Sequence, residues 1–189
     1  MLNFHTPPAE RPLVEPMSAQ APLATNVMER QAGREYWRRW TKPTFLMRCA
    51  PLLAEVYGYW DAKRGHRRMP SRADIDPAEL RPYIANLLLV DVRHEPFKLT
   101  YRLVGTREVK ARGGDPTGKD VAGHFIGDSW DAMHFKYRYA VEQRGFIYDE
   151  DPAPTSTSRV HELASLFLPL SPDDDTVNMV MVCTEYVGP

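Results

Sequence analysis

The clearest alternation of apolar and polar positions lies in the second half of the chain. In "KLTYRLVG", Lys98 to Gly105, Leu99, Tyr101 and Leu103 share one face, and Thr100 and Arg102 share the other. That period of two predicts a strand. The apolar run Leu87 to Val92 precedes it, and His94-Glu95-Pro96 supplies a turn between them, so the two pair as a hairpin. Two longer strands follow, Val160 to Leu170 and Thr176 to Val187, separated by "SPDDD". Both are apolar on both faces: Ala164, Leu166, Leu168 and Leu170 alternate with Leu163 and Phe167, and Val180 and Val182 alternate with Met179, Met181 and Cys183. Such a sheet needs cover on both sides. "FIYDED" adds a fifth strand ahead of the polar loop "PAPTSTS".

Helical spacing appears elsewhere. In "APLLAEVYGYWDAKR", residues 50–64, Leu52, Leu53, Val56, Tyr57 and Trp60 form one stripe; Pro51 suits the first helical position, and Gly65 stops the helix. Residues 129–143 start at Ser129 as N-cap, with Gly145 beyond the end and an inward stripe of Trp130, Met133, His134, Tyr137, Ala140 and Val141. Short helical pieces broken by Gly113-Gly114, Pro116-Thr117-Gly118 and Gly123 fill the stretch before it. Residues 26–40, "NVMERQAGREYWRRW", are expected to be a helix capped by Asn26. It carries Arg30, Arg34, Arg38 and Arg39 beside Tyr36, Trp37 and Trp40. Such a helix can lie on a membrane, grip a partner, or dock its aromatics on its own domain. Residues 1–25, with Pro7, Pro8, Pro12, Pro16 and Pro22, read as a flexible tail.

The expected architecture is α+β: five antiparallel strands with helices inserted between the second and third, preceded by N-terminal helices. The division is a tail at 1–25, a helical extension at 26–65 and a domain at 66–189. The long helix covers one sheet face; the helix at 50–64, or a second subunit, covers the other.

One charged stretch could be chemistry. "MPSRADIDPAELRPY" places Arg72, Asp74, Asp76 and Glu79 together. Asp76 followed by Pro77, with Glu79 three residues on, reads as a capping box with Asp in place of Ser or Thr. Arg72 and Asp74 are expected to pair with each other. Structure thus explains all four without a metal or acid–base site.

Composition narrows the function. The 189 residues carry 24 Lys and Arg against 25 Asp and Glu, so global charge makes no case for nucleic acid or anionic lipid. Cys49 and Cys183 make neither a C-x-x-C nor a zinc spacing. Reduced thiols, no apolar run near ~20 residues and no signal-peptide pattern place the expected protein in the cytoplasm. No two histidines have helical metal spacing, and no Gly-x-Ser-x-Gly elbow or phosphate loop occurs. Asp173, Asp174 and Asp175 fit a solvated hairpin tip rather than a calcium loop.

The segments "YGYWDAKRGHRRMPSRADIDPAELRPYIANLLLVDV" and "LTYRLVGTREVKARGGDPTGKDV" resemble the PAS domain family. The nearest subgroup is the short bacterial PAS-like proteins formerly treated as a domain of unknown function. Trp60, Pro70, Arg72, Asp74, Ile75, Pro77, Tyr101, Arg102, Gly105, Thr106, Gly114, Asp115, Thr117 and Gly118 carry the resemblance. It implies a non-catalytic sensor or interaction module, homodimeric, with a pocket between sheet and inserted helices and an unidentified signalling partner. The expected pocket residues are Tyr101, Leu103, Trp130, Met133, His134, Tyr137, Leu166, Leu168, Met179 and Met181, for a small apolar ligand or none. A haem- or flavin-binding sensor is the cofactor alternative, with His134 as the haem ligand, although no photochemical flavin motif or C-x-x-C-H haem attachment occurs. The alternative from another class is a small cavity enzyme, of the cone-shaped isomerase or hydrolase type, using His134 with Tyr137 or Arg102.

Overall fold

The computed structural model describes residues 27–32, 35–127, 129–154 and 160–187. Its sheet contains β1 (Val27–Ala32), β2 (Glu35–Trp40), β3 (Leu87–Arg93), β4 (Lys98–Val104), β5 (Ile147–Pro154), β6 (Val160–Leu170) and β7 (Met179–Val187). The order is β1-β2-β5-β6-β7-β3-β4, and the neighbouring pairs are antiparallel. Helix α1 (Pro51–Arg64) precedes β3, while α2 (Thr106–Arg112) and α3 (Trp130–Gln143) are inserted between β4 and β5. Strands β3 to β7 with this insert are the expected five-stranded α+β plan.

The hairpin β1–β2 corrects the sequence expectation. Residues 27–32 and 35–40 are strands, not one helix, and β2 docks on β5 through Arg38–Glu150, Arg39–Asp149 and Trp40–Tyr148. Gly33 in the link weakens a helix by about 1 kcal/mol, aromatic residues favour strands, and the open edge of β5 offers a row of backbone partners. Over so short a segment, tertiary pairing overrides a helical pattern. Asn26 and the expected tail at 1–25 lie outside the described residues.

Both faces of the sheet are covered, as their apolar character demands. Tyr137 of α3 meets Phe167 edge-on, with ring centroids 5.2 Å apart. The face holding Phe167 and its lateral neighbours Ile147, Val182 and Leu88 therefore lies under α3. On the other face, Tyr57 of α1 packs on Phe45, which stacks on Tyr148 at 4.7 Å. Tyr148 aligns with Leu166, Cys183 and Leu87. Trp60 anchors α1 by donating its Nε1–H to the Pro169 carbonyl at 2.9 Å. Ser129 caps α3 by accepting from the Ala132 N–H. Its buried Lys136 pairs with Asp149 of β5.

Register corrects a second expectation. Leu89 pairs with Leu103 but Val90 pairs with Tyr101, so Arg102 is an extra residue in β4. This bulge turns Tyr101 toward α3 and Leu103 toward α1, where simple alternation put them on one face.

The charged stretch is structural, with its partners exchanged. Asp74 pairs with Arg67 at 2.8 Å and accepts from the Ser71 N–H and hydroxyl at 2.7 and 2.8 Å. Arg72 instead donates to the Ile75 carbonyl at 2.9 Å. Residues two apart in a tight turn do not face each other, whereas the chain leaving α1 folds Arg67 back onto Asp74. Asp76 does accept from the Ala78 N–H, but Glu79 reaches Lys63 at 2.7 Å rather than closing a box, and residues 77–83 form turns.

Candidate functional site

The site grows from the end of β4. Gly105 donates its N–H to the Leu87 carbonyl at 2.8 Å, holding the start of α2 against the sheet. Any Cβ there would lie 2.2 Å from the Ile84 carbonyl oxygen, so only glycine fits. Helix α2 then places Glu108 and Arg112 one turn apart on its sheet-facing side, with Glu N-terminal to Arg, the favourable orientation. Both are buried; the side-chain exposures are 1% and 9%.

Their contacts join three elements. Arg112 Nη1 lies 2.5 Å from Glu108 Oε2, and Tyr186 of β7 donates its hydroxyl to Glu108 Oε1 at 2.8 Å. The guanidinium also lies 5.4 Å from the centre of the Tyr101 ring on β4. Its Nε–H has no hydrogen-bond partner among the described residues. Burial, reinforced by the Glu108 charge, raises the Tyr186 hydroxyl far above the usual phenol range. Burial alone would lower the Arg112 pKa, but Glu108 outweighs it and holds the guanidinium charged. Tyr101 and Tyr137 are likewise raised by burial, so these phenols stay neutral.

Two spaces flank Arg112. The inner one, between the sheet and α2/α3, has a volume of about 30 Å³ and is bounded by Tyr101, Glu108, Arg112, Tyr137, Phe167 and Thr184, among others. That is room for about one water. The outer one is an open cleft of about 450 Å³, formed by residues 111–116, Lys119 and residues 123–127.

The expected pocket residues divide. Tyr101, Met133 and Tyr137 line the inner cavity. Leu103, Leu166, Leu168, Met179 and Met181 belong to the opposite face, under α1, because the bulge at Arg102 and the strand registers place them there. Trp130 and His134 are half-buried and stack on each other at 5.3 Å, with Phe97 at 5.5 Å from the His134 ring. His134 lines neither the inner cavity nor the outer cleft. Among the described residues, no group of three His, Cys, Asp or Glu side chains is placed to hold a metal ion, and no helix is long and apolar enough to cross a membrane.

Sequence reasoning missed Glu108, Arg112 and Tyr186. In "TREVKARGG" the two charges look like an ordinary exposed pair, and only the four-residue spacing hints at an ion pair. The burial comes from packing α2 against the sheet.

A family model described as a PAS domain matches residues 48–184, from just before α1 into β7. No curated protein and no solved structure matches. The matched span contains β3 to β6, β7 as far as residue 184, the insert and the Glu108–Arg112 pair, with Tyr186 two residues beyond its end, and the chain belongs to the PAS domain family.

Proposed function

We propose that the chain is a non-catalytic sensor or interaction module in which α2 and the loops after it detect a signal and the sheet carries it to a partner. The observation behind this reading is the buried Glu108–Arg112 pair, tied by Tyr186 to β7. A displacement of α2 carries both charges with it, so it must either break the Tyr186–Glu108 hydrogen bond or move β7 as well. The inner cavity, about 30 Å³ and walled by Tyr101, Tyr137, Tyr186 and Phe167, is too small for a bulky apolar ligand. The extension at 26–65, between the tail at 1–25 and the domain at 66–189, supplies the output contact. Its hairpin adds to the sheet beside β5, so a homodimer or signalling partner engaged there contacts the same sheet. The setting is the cytoplasm, with no nucleic-acid role.

Native mass spectrometry of the full chain tests this reading. A subunit number, or a complex with a partner, that changes when Glu108→Gln breaks the buried pair supports it. A protein whose assembly is the same with and without the pair, and that turns over a substrate, refutes it.

A further inference from the structure

A separate cleft, of about 420 Å³, opens where α1 and α3 end, just before β5. That is the volume of an ordinary small-molecule site. Its wall is aromatic: Tyr57 and Trp60 come from α1, Tyr139 from α3, and Phe146 from the chain entering β5. Its charged lining residues are Arg64, Arg68 and Arg144, and no acidic residue among the described ones shares the lining.

Two groups on this cleft lack partners. Tyr57 is only 7% exposed, yet its hydroxyl makes no hydrogen bond among the described residues and is not one of the side-chain polar atoms sealed from solvent. Burial raises this phenol, Asp61 adds to the rise and Arg64 opposes it, which puts the hydroxyl within reach of the Arg64 charge on the cleft. Arg68 is exposed, and its guanidinium has neither an ion-pair nor a hydrogen-bond partner among the described residues.

The fixed charges select the ligand. Arg64 pairs with Asp61 at 2.6 Å, and Arg144 pairs with Asp175 at 2.9 Å. Asp173 and Asp174, between β6 and β7, line no part of the cleft. Asp174 accepts from the Arg68 and Met69 N–H groups at 2.7 and 3.1 Å, and Asp173 from the Ser171 hydroxyl and the Thr176 N–H, both at 2.7 Å. One positive charge, Arg68, is thus unmatched at the cleft. A monoanion matches it, and the planar fork of a guanidinium suits a carboxylate.

We infer that this cleft binds a small monoanionic carboxylate on a flat apolar body. Arg68 pairs with the carboxylate, Tyr57 supplies a hydroxyl, and the apolar body rests on the aromatic wall. The site is separate from the Glu108–Arg112–Tyr186 cluster, so neither its success nor its failure decides the sensor reading.

The test titrates the full chain with benzoate, its neutral isostere benzamide, and phenyl phosphate at mildly alkaline pH, where the last is a dianion. Amide and indole NMR follows residues 57–68 and 139–146, with the Trp60 Nε1–H as a reporter inside the cleft. Benzoate is expected to shift these resonances and to bind about tenfold tighter than benzamide, a difference of about 1.4 kcal/mol, with phenyl phosphate no tighter than benzoate. Arg68→Gln is expected to abolish the preference for benzoate over benzamide, and Tyr57→Phe to weaken benzoate by about tenfold, about 1.4 kcal/mol. Both variants remove groups that bond nothing in the fold, so the melting temperature is expected to hold. Benzamide or phenyl phosphate binding tighter than benzoate overturns the monoanion class. Benzoate affinity unchanged in both variants, shifts confined to other residues, or no shift with any probe at millimolar concentration overturns the site.

Discussion

Breaking the buried pair from one side and then from both separates its role in stability from its role in the site. Glu108→Gln leaves a guanidinium with 9% exposure and no counter-charge, where the carboxylate it faced was 1% exposed. Removing one partner of such a pair costs about 3–5 kcal/mol. The Tyr186 hydroxyl can still donate to the glutamine oxygen, so the lower end, about 3 kcal/mol, is expected. In a chain of this size each kcal/mol lowers Tm by about 2–4 °C, which puts the fall at about 6–12 °C. Arg112→Met leaves the carboxylate buried and is expected to cost a similar amount. The double variant Glu108→Leu/Arg112→Met removes both charges and fills the space with apolar atoms. Apolar replacement of a whole buried pair is often close to neutral. Only the Tyr186 hydroxyl then lacks its acceptor, about 1 kcal/mol. The two single costs sum to about 6 kcal/mol, so the expected coupling is about 5 kcal/mol. Thermal melts and urea unfolding of the four proteins measure it. If the double variant is as unstable as the sum of the singles, or if Glu108→Gln costs under about 0.5 kcal/mol as an exposed pair would, the pair is not the buried coupling element argued above.

Other expectations follow from single contacts. Gly105→Ala drives a methyl to 2.2 Å from the Ile84 carbonyl oxygen and is expected to destabilise by about 3 kcal/mol, whereas Gly114→Ala, with nothing within 4 Å, stays near neutral; paired thermal melts compare them. Trp60→Phe removes the Nε1–H donated to Pro169 and leaves a smaller ring in a filled site, for about 1–2 kcal/mol in urea unfolding, and a cost near zero would count against that anchor. The Ser71 N–H, Arg67 and the Ser71 hydroxyl hold the Asp74 carboxyl down at about 2. A depressed carboxyl stabilises the fold above its unfolded pKa of about 4, and that contribution fades as pH falls through about 2. Asp74→Asn is therefore expected to be less stable at neutral pH and to show a flatter stability profile between about pH 4 and 2, read from urea midpoints across that range.

Much of the fold is legible in the sequence. The alternation in 98–105, the two-faced apolar strands at the C-terminal end and the stripes of residues 50–64 and 129–143 report burial, and burial is what periodicity encodes. The capped start at Ser129 and the stop at Gly65 are local backbone chemistry, visible because their partners lie within a few residues. The resemblance around Trp60 and Gly105 pointed to the family that the match over 48–184 shows.

What the tertiary structure alone decided lies where partners are distant in the chain or a period is interrupted. One extra residue, Arg102, turns Leu103 away from Tyr101, and no pattern in so short a strand announces it. Residues 27–32 and 35–40 become paired strands because β5 leaves an edge to pair with, a fact held by residues more than a hundred positions away. Asp74 chose Arg67 over Arg72 for the same reason of chain path. Above all, Glu108 and Arg112 look like any exposed helical pair until α2 lies on the sheet beneath Tyr186. Charge is written in the sequence, but the desolvation that turns an ordinary pair into a site is a property of the packed chain.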